Sequence, residues 1–443
     1  CTIPSVAGHG KLKQRENDYP MNSKLLKNAF YTYVLQGANY LLPLITVPFL
    51  LRVLNVDGFG LMSFAQAMAQ YFVILTEYGF NLTATREVAL YRDNETKLNC
   101  IFWTTIFAKA ILAFTGLLVM LILLFSIDRF RLDWQLYIAA FLTVPGNVII
   151  PTWFFQGMEK MRNIMFIIGL ARTIATVLTF ILVRGPDDVA LAAGLQSLGA
   201  VFAGITGVFA AKRLFSLKLR IPSRYDIQDA LASGWRIFLS TVAINIYTTT
   251  NLFVLGLFTN NAVTGIYSAA DKIIRAIQGI LTPVAQSLYP HITALVAKSH
   301  DMAFNFIRKV MMAFGLCSFL LSMLIYLQAD GLVSLFAGKG YQESIGLVRI
   351  MAFIPLFVAL SNVFGIQTML PFNMTAMFSK IIISASVFDL LILFPLLLVF
   401  GVEGVAVAAA ATELAVTIVM GIVLWRKEFP IFNMPGNRKG FSK

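Results

Sequence analysis

Long runs of apolar residues recur from one end of the chain to the other, and no other feature limits the possible folds so severely. The segment 111–125, which continues a run from residue 101, and the segments 381–400 and 405–425 carry almost no charge. About 20 helical residues cross the hydrocarbon core of a bilayer, so runs of this length read as membrane spans. Backbone groups inside that core must bond internally, which leaves helices or a closed barrel. Barrel strands would alternate apolar and polar positions, and these runs do not. Composition agrees: 58% of the 443 residues are hydrophobic and 13% are charged, too few to cover a soluble protein of that size. The chain is therefore read as an all-α, polytopic membrane protein.

Apolar runs between charged or Pro/Gly breaks give twelve expected spans, at 28–51, 59–80, 101–125, 135–155, 164–183, 189–211, 235–257, 266–290, 309–329, 344–366, 381–400 and 404–425. Residues 1–20 are polar, lack the apolar stretch of a signal peptide, and read as an upstream extension before Met21. Lys and Arg are distributed unevenly among the short loops. With the N-terminus cytoplasmic, 24 of the 35 basic residues fall inside, counting Lys309 at the inner end of the ninth span, and 5 outside. Both termini are expected in the cytoplasm, and the net charge of +13 reads as an insertion signal, not a nucleic-acid surface. The longest inside connection, 212–234, holds Lys212, Arg213, Lys218, Arg220 and Arg224, which suit anionic headgroups of membrane lipids. It divides the chain into one six-span bundle at 21–211 and a second at 235–425, followed by a tail at 426–443. The cysteines Cys1, Cys100 and Cys317 and the histidines His9, His291 and His300 show no ligand spacing, so neither a metal nor another cofactor is expected.

The two halves carry a faint repeat. At an offset of 205 residues, 54–90 and 259–295 share six identities in 37 positions, among them Gly60/Gly265 and Ser63/Ser268. The polar pattern is clearer. The eighth span carries Ser268, Asp271, Arg275, Gln278, Thr282 and Gln286 at intervals of three or four, hence on one helix face. The second span carries Ser63, Gln66, Gln70, Glu77 and Asn81, each 205 residues before a member of that set. Equivalent polar stripes imply two bundles facing a common wet cavity. An even number of spans per half makes this a parallel repeat.

Ionisable groups at membrane depth point by default to a cavity, a pair or a pathway. The candidates are Glu77, Lys109, Arg172, Arg236, Asp271, Lys272, Arg275, Arg349, Asp389 and Glu413. Lys109, Arg349 and Asp389 lie near expected span ends, where they could either snorkel to the interface or face inward. Asp271 and Arg275, four residues apart, could simply neutralise one another. The functional reading gives Arg236, Lys272 and Arg275 to an electropositive cavity, since guanidinium and ammonium groups match phosphate oxygens. Glu77, Asp271 and Glu413 are the candidate cavity or coupling acids. Pro283, inside the eighth-span stripe, is the expected hinge.

Several segments together resemble the O-antigen flippases of the multidrug, oligosaccharidyl-lipid and polysaccharide exporter superfamily. They are Pro48-Phe49-Leu50-Leu51-Arg52-Val53-Leu54 with Gly58-Phe59-Gly60, Tyr78-Gly79-Phe80-Asn81-Leu82-Thr83-Ala84-Thr85-Arg86-Glu87, Trp153-Phe154-Phe155-Gln156-Gly157-Met158-Glu159-Lys160-Met161, and Tyr267-Ser268-Ala269-Ala270-Asp271-Lys272-Ile273-Ile274-Arg275 with Leu288-Tyr289-Pro290. Asn55-Val56 departs from the Gly-containing turn usual after Arg-Val-Leu, and His291 stands where a permanent charge is common. The resemblance implies twelve helices, alternating access, and passage of an undecaprenyl-pyrophosphate-linked oligosaccharide from the cytoplasmic to the periplasmic leaflet of a bacterial inner membrane. It adds Arg52 and Arg86 to the candidate substrate-binding residues. It also implies an O-antigen polymerase and a chain-length regulator as partners in the same pathway. No nucleophile, metal or paired-acid constellation supports an enzyme, so none is expected. The rival reading is a cation-coupled exporter of small molecules from the same superfamily.

Overall fold

The computed structural model describes residues 42–431, apart from some side chains between 236 and 248, Arg236 among them. Every regular element in that range is helical. The first ten helices are α1 (Leu42–Val53), α2 (Asn55–Glu77), α3 (Phe80–Leu90), α4 (Glu95–Ser126), α5 (Asp128–Leu132), α6 (Trp134–Phe141), α7 (Thr143–Ile149), α8 (Thr152–Gly157), α9 (Met161–Leu182) and α10 (Val189–Phe215). After residues 216–223 come α11 (Arg224–Phe258), α12 (Asn261–Lys298), α13 (His300–Leu327), α14 (Ala329–Phe336), α15 (Ser344–Met351), α16 (Ile354–Phe364) and α17 (Thr375–Arg426). A π-helical turn, Gly365–Met369, follows α16.

Local chemistry sets the breaks. Tyr78 and Gly79 both adopt left-handed backbone angles, φ 43° and 79°, and separate α2 from α3. Asn94, Asn260 and Ser299 each accept a backbone N–H of the helix they open, those of Lys97, Val263 and Met302. Pro151 stands between α7 and α8 and interrupts the expected fourth span. Gly401, at φ 59°, divides the 52-residue α17 into two antiparallel spans at the place expected from sequence.

Among the described residues, eight segments are long and apolar enough to cross a membrane by length and composition. One of these, α17, holds two expected spans. The segments α1, α11 and α12 complete a set that agrees with twelve, and the stretch 28–41 of the first span lies outside the described residues. The connection 212–234 is mostly helical, because α10 runs to Phe215 and a Ser223–Asp226 capping box starts α11 at Arg224. Pro283 and Pro290 both lie within α12.

Apolar side chains pack in three groups. One lies among α3, α4, α8, α9 and α10, centred on Phe102, Trp153, Phe154 and Phe155. A second lies among α12, α13, α16 and α17. The largest joins helices on both sides of the 216–223 connection, including Phe64 and Phe59 of α2 with Tyr267 and Ile274 of α12. The outward faces of α4, α9 and α13 expose large apolar side chains, as lipid-facing helices do.

Candidate functional site

The helices α2 and α12 meet at positions 205 residues apart, the period of the sequence repeat. Ser268 donates a hydrogen bond to Ser63 at 2.8 Å, with both side chains buried. One turn earlier Gly60 and Gly265 let the two backbones touch. A Cβ at Gly60 would overlap the Asn261 carbonyl oxygen, and one at Gly265 would overlap that of Val56. Further bonds fasten the same end of the bundle. The Tyr341 hydroxyl donates to the carbonyls of Leu51 and Asn55, at 3.1 and 2.9 Å, and Ser344 to that of Ile266 at 2.8 Å. Arg52 belongs here too, donating to the Leu335 carbonyl.

Beyond this crossing the halves diverge around a cavity of about 800 Å³. Its walls come from α1, α2, α7, α8, α9 and α10 on one side and α11, α12, α15, α16 and α17 on the other. The polar stripes reach it: Ser63, Gln66 and Gln70 from α2, and Asp271, Arg275 and Gln278 from α12, joined by Lys272. Arg275 Nε donates to both carboxylate oxygens of Asp271, at 2.9 and 2.7 Å, so the pair neutralises itself and also lines the cavity. Glu413 of α17 faces the same space.

The other candidates lie elsewhere. Arg52 fastens the closed end of the bundle, and exposed Arg86 sits on α3; neither lines the cavity. Glu77 is also outside the lining and interacts electrostatically with buried Lys109. Lys109 donates to the Asn147 carbonyl at 3.0 Å. Arg236 belongs to α11, and its side chain lies outside those described.

Asp389 does not snorkel. It is fully buried in the cavity wall and accepts the Thr412 hydroxyl at 2.9 Å, with buried Asn251 beside it. Its sequence signal was a lone acid one turn or two from a span end, which does not reveal that the register turns it inward. Arg349 does reach the surface, where it pairs with Asp330 at 3.0 Å. Arg172, an ionisable residue of α9 to which no role fell in the sequence, also lines the cavity. Among the described residues no group of three His, Cys, Asp or Glu side chains could hold a metal.

Residues 25–296 match the model of a family described as polysaccharide biosynthesis protein. A relative from Escherichia coli (strain K12) is 35% identical over 396 residues, 89% of this chain and 95% of its own. One from Shigella dysenteriae is 27% identical over 394 residues, 89% of this chain and 98% of its own. Both bear the name "Putative O-antigen transporter". Among solved structures, the lipid II flippase MurJ in an inward closed conformation superposes with a TM-score of 0.71 at 12% identity, over 91% of this chain and 87% of that one. The multidrug transporter DinF-BH superposes with a TM-score of 0.62 at 13% identity, over 95% and 99%. At such identities the likeness is one of fold.

Proposed function

The chain belongs to the polysaccharide biosynthesis protein family, and on that footing we propose that it is a flippase for a lipid-linked O-antigen unit. It is a multi-pass membrane transport protein and not an enzyme. The passenger we assign is an undecaprenyl-pyrophosphate-linked oligosaccharide, moved from the cytoplasmic to the periplasmic leaflet of the bacterial inner membrane. The observation that carries this reading is the cavity itself: a space of about 800 Å³ between the two halves whose walls bear Arg172, Lys272 and the Asp271-paired Arg275. Ionisable groups turned into the interior of a membrane-protein bundle mark substrate or ion pathways by default. The relatives named as O-antigen transporters, alike over nearly their whole length, support the choice of cargo.

Alternating access follows from the two-bundle reading, in which 21–211 and 235–425 rock about the cavity. The Lys and Arg bias supports cytoplasmic termini, which would put the Gly60–Gly265 crossing at the periplasmic side. The carbohydrate would then enter from the cytoplasm and leave when that crossing parts. Glu413, Asp271 and the newly placed Asp389 supply carboxylates for coupling to a cation gradient. Those acids also favour the second reading, a cation-coupled exporter of small molecules.

Deletion of the gene decides between the two. Loss of long-chain surface polysaccharide, restored by the wild-type chain and not by Lys272→Ala, is the expected result. An unchanged polysaccharide ladder with heightened drug sensitivity would reject the flippase in favour of the exporter.

A further inference from the structure

Three carboxamides stand where the cavity meets the α2–α12 crossing. Gln66 lies one turn beyond Ser63 on α2, and Gln70 one turn beyond Gln66; all three residues line the cavity. Between Met62 and Gln70 the other α2 side chains are buried, whereas Gln66 is half-buried and Gln70 is exposed. What reaches these two amides is the cavity.

The third amide comes from α10. There Gln196, Gly199, Ala200 and Ala203 line the cavity at the three- and four-residue spacing of one helix face. Leu198, Phe202, Ile205 and Phe209 are exposed on the opposite face, as a lipid-facing surface requires. Exposed Gln196 therefore opens onto the cavity and not onto the bilayer. Gln66 Nε2 donates to Gln196 Oε1 at 3.0 Å, which brings the amides of α2 and α10 together. That bond engages one atom of each amide. The remaining oxygen of one and the amino group of the other form a neighbouring acceptor and donor, and turning both amides round leaves the same complement.

We propose that Gln66 and Gln196, with Gln70, bind hydroxyl groups of the passenger's saccharide and so help to set which saccharide is carried. This rests on the reading of the cargo as a lipid-linked saccharide. A sugar hydroxyl both donates and accepts, and adjacent hydroxyls on a ring match a paired donor and acceptor. Amides placed to bond a hydroxyl reject an analogue that lacks it, because their own polar groups are then left unpaired. The neighbours on the same face, Gly199, Ala200 and Ala203, are too short to cover Gln196. Held here, the saccharide lies against the crossing and is the part of the passenger that emerges first when α2 and α12 part.

The test uses the purified full-length chain in detergent, titrated calorimetrically with two probes: farnesyl diphosphate, and the same diphosphate bearing the repeat unit of the host's surface polysaccharide. The wild-type chain should bind the saccharide-bearing probe about tenfold more tightly, the scale of two or three neutral hydrogen bonds. Gln66→Leu and Gln196→Leu should each cut that advantage about threefold or more and leave the affinity for farnesyl diphosphate unchanged. Gln70→Leu, exposed and outside the pair, should also cut it, and keeps the test open if a paired variant fails to fold. An advantage undiminished in all three variants, or equal loss of both probes in Gln70→Leu, would overturn the assignment and leave the flippase standing. Equal wild-type affinity for the two probes would do the same. Wild-type protein that binds neither probe would reject the flippase reading itself.

Discussion

At the scale of single residues, what separates the basic side chains is where they face, not how deep they lie. Lys272 lines the cavity, whereas Arg52 donates to a backbone carbonyl at the fastened end and Arg86 is exposed on α3. Lys272→Ala is expected to cut transport about tenfold or more, the cost of one charged hydrogen bond to the passenger. Arg86→Ala should leave the passenger's affinity unchanged, because its side chain is outside the cavity. Flux of lipid-linked saccharide at equal protein levels checks both. Depth and charge were legible in the sequence; facing was not. Asp389 and Arg349 looked alike as near-terminal ionisable residues, yet one is fully buried against Thr412 and the other pairs at the surface. Only the rotation of each helix against its neighbours distinguishes them, and no single span encodes that.

Among elements, the crossing of α2 and α12 leaves little room for change. A methyl group at Gly60 or Gly265 would collide with a backbone carbonyl on the opposite helix, which has no rotamer with which to yield. Gly60→Ala is expected to cost about 1–3 kcal/mol, the usual range for overpacking, and to appear as a lower melting temperature in detergent. The Ser63 and Ser268 hydroxyls, 2.8 Å apart, offer a reversible lock. In a background with Cys1, Cys100 and Cys317 replaced, Ser63→Cys with Ser268→Cys should form a disulfide on oxidation. Transport should stop then and resume on reduction; undiminished flux by the oxidised protein would show that α2 and α12 need not part. The repeat at 205 residues foretold that these spans correspond, and both polar stripes reach the cavity. It did not foretell that Ser63 and Ser268 bond to each other, since equivalence in sequence says nothing about proximity. The hinge expected at Pro283 concerns a movement between states, and Pro283 lies within the continuous helix α12.

For the whole molecule, the apolar runs and basic loops carried most of the information. Fold class and the break at Gly401 were readable because bilayer thickness and backbone satisfaction leave few choices. That much of 212–234 is helical was less legible, because a basic, polar stretch can still be helical once Ser223 caps it. The orientation proposed from the same charge bias is open to a direct test. Phosphatase fused at residue 130 should be active in the periplasm, and fusions at residue 220 or at the C-terminus inactive; the reverse pattern would invert the direction of transport. Translocation itself is measured most directly by the protection of a fluorescent polyprenyl-diphosphate saccharide from an external quencher in liposomes containing the purified protein. The wild-type chain should speed its passage between leaflets well above protein-free liposomes, and Lys272→Ala and Arg172→Ala should fall back toward that background. Wild-type passage no faster than in protein-free liposomes, or equal rates in wild type and both variants, would contradict a charged cavity that carries the passenger.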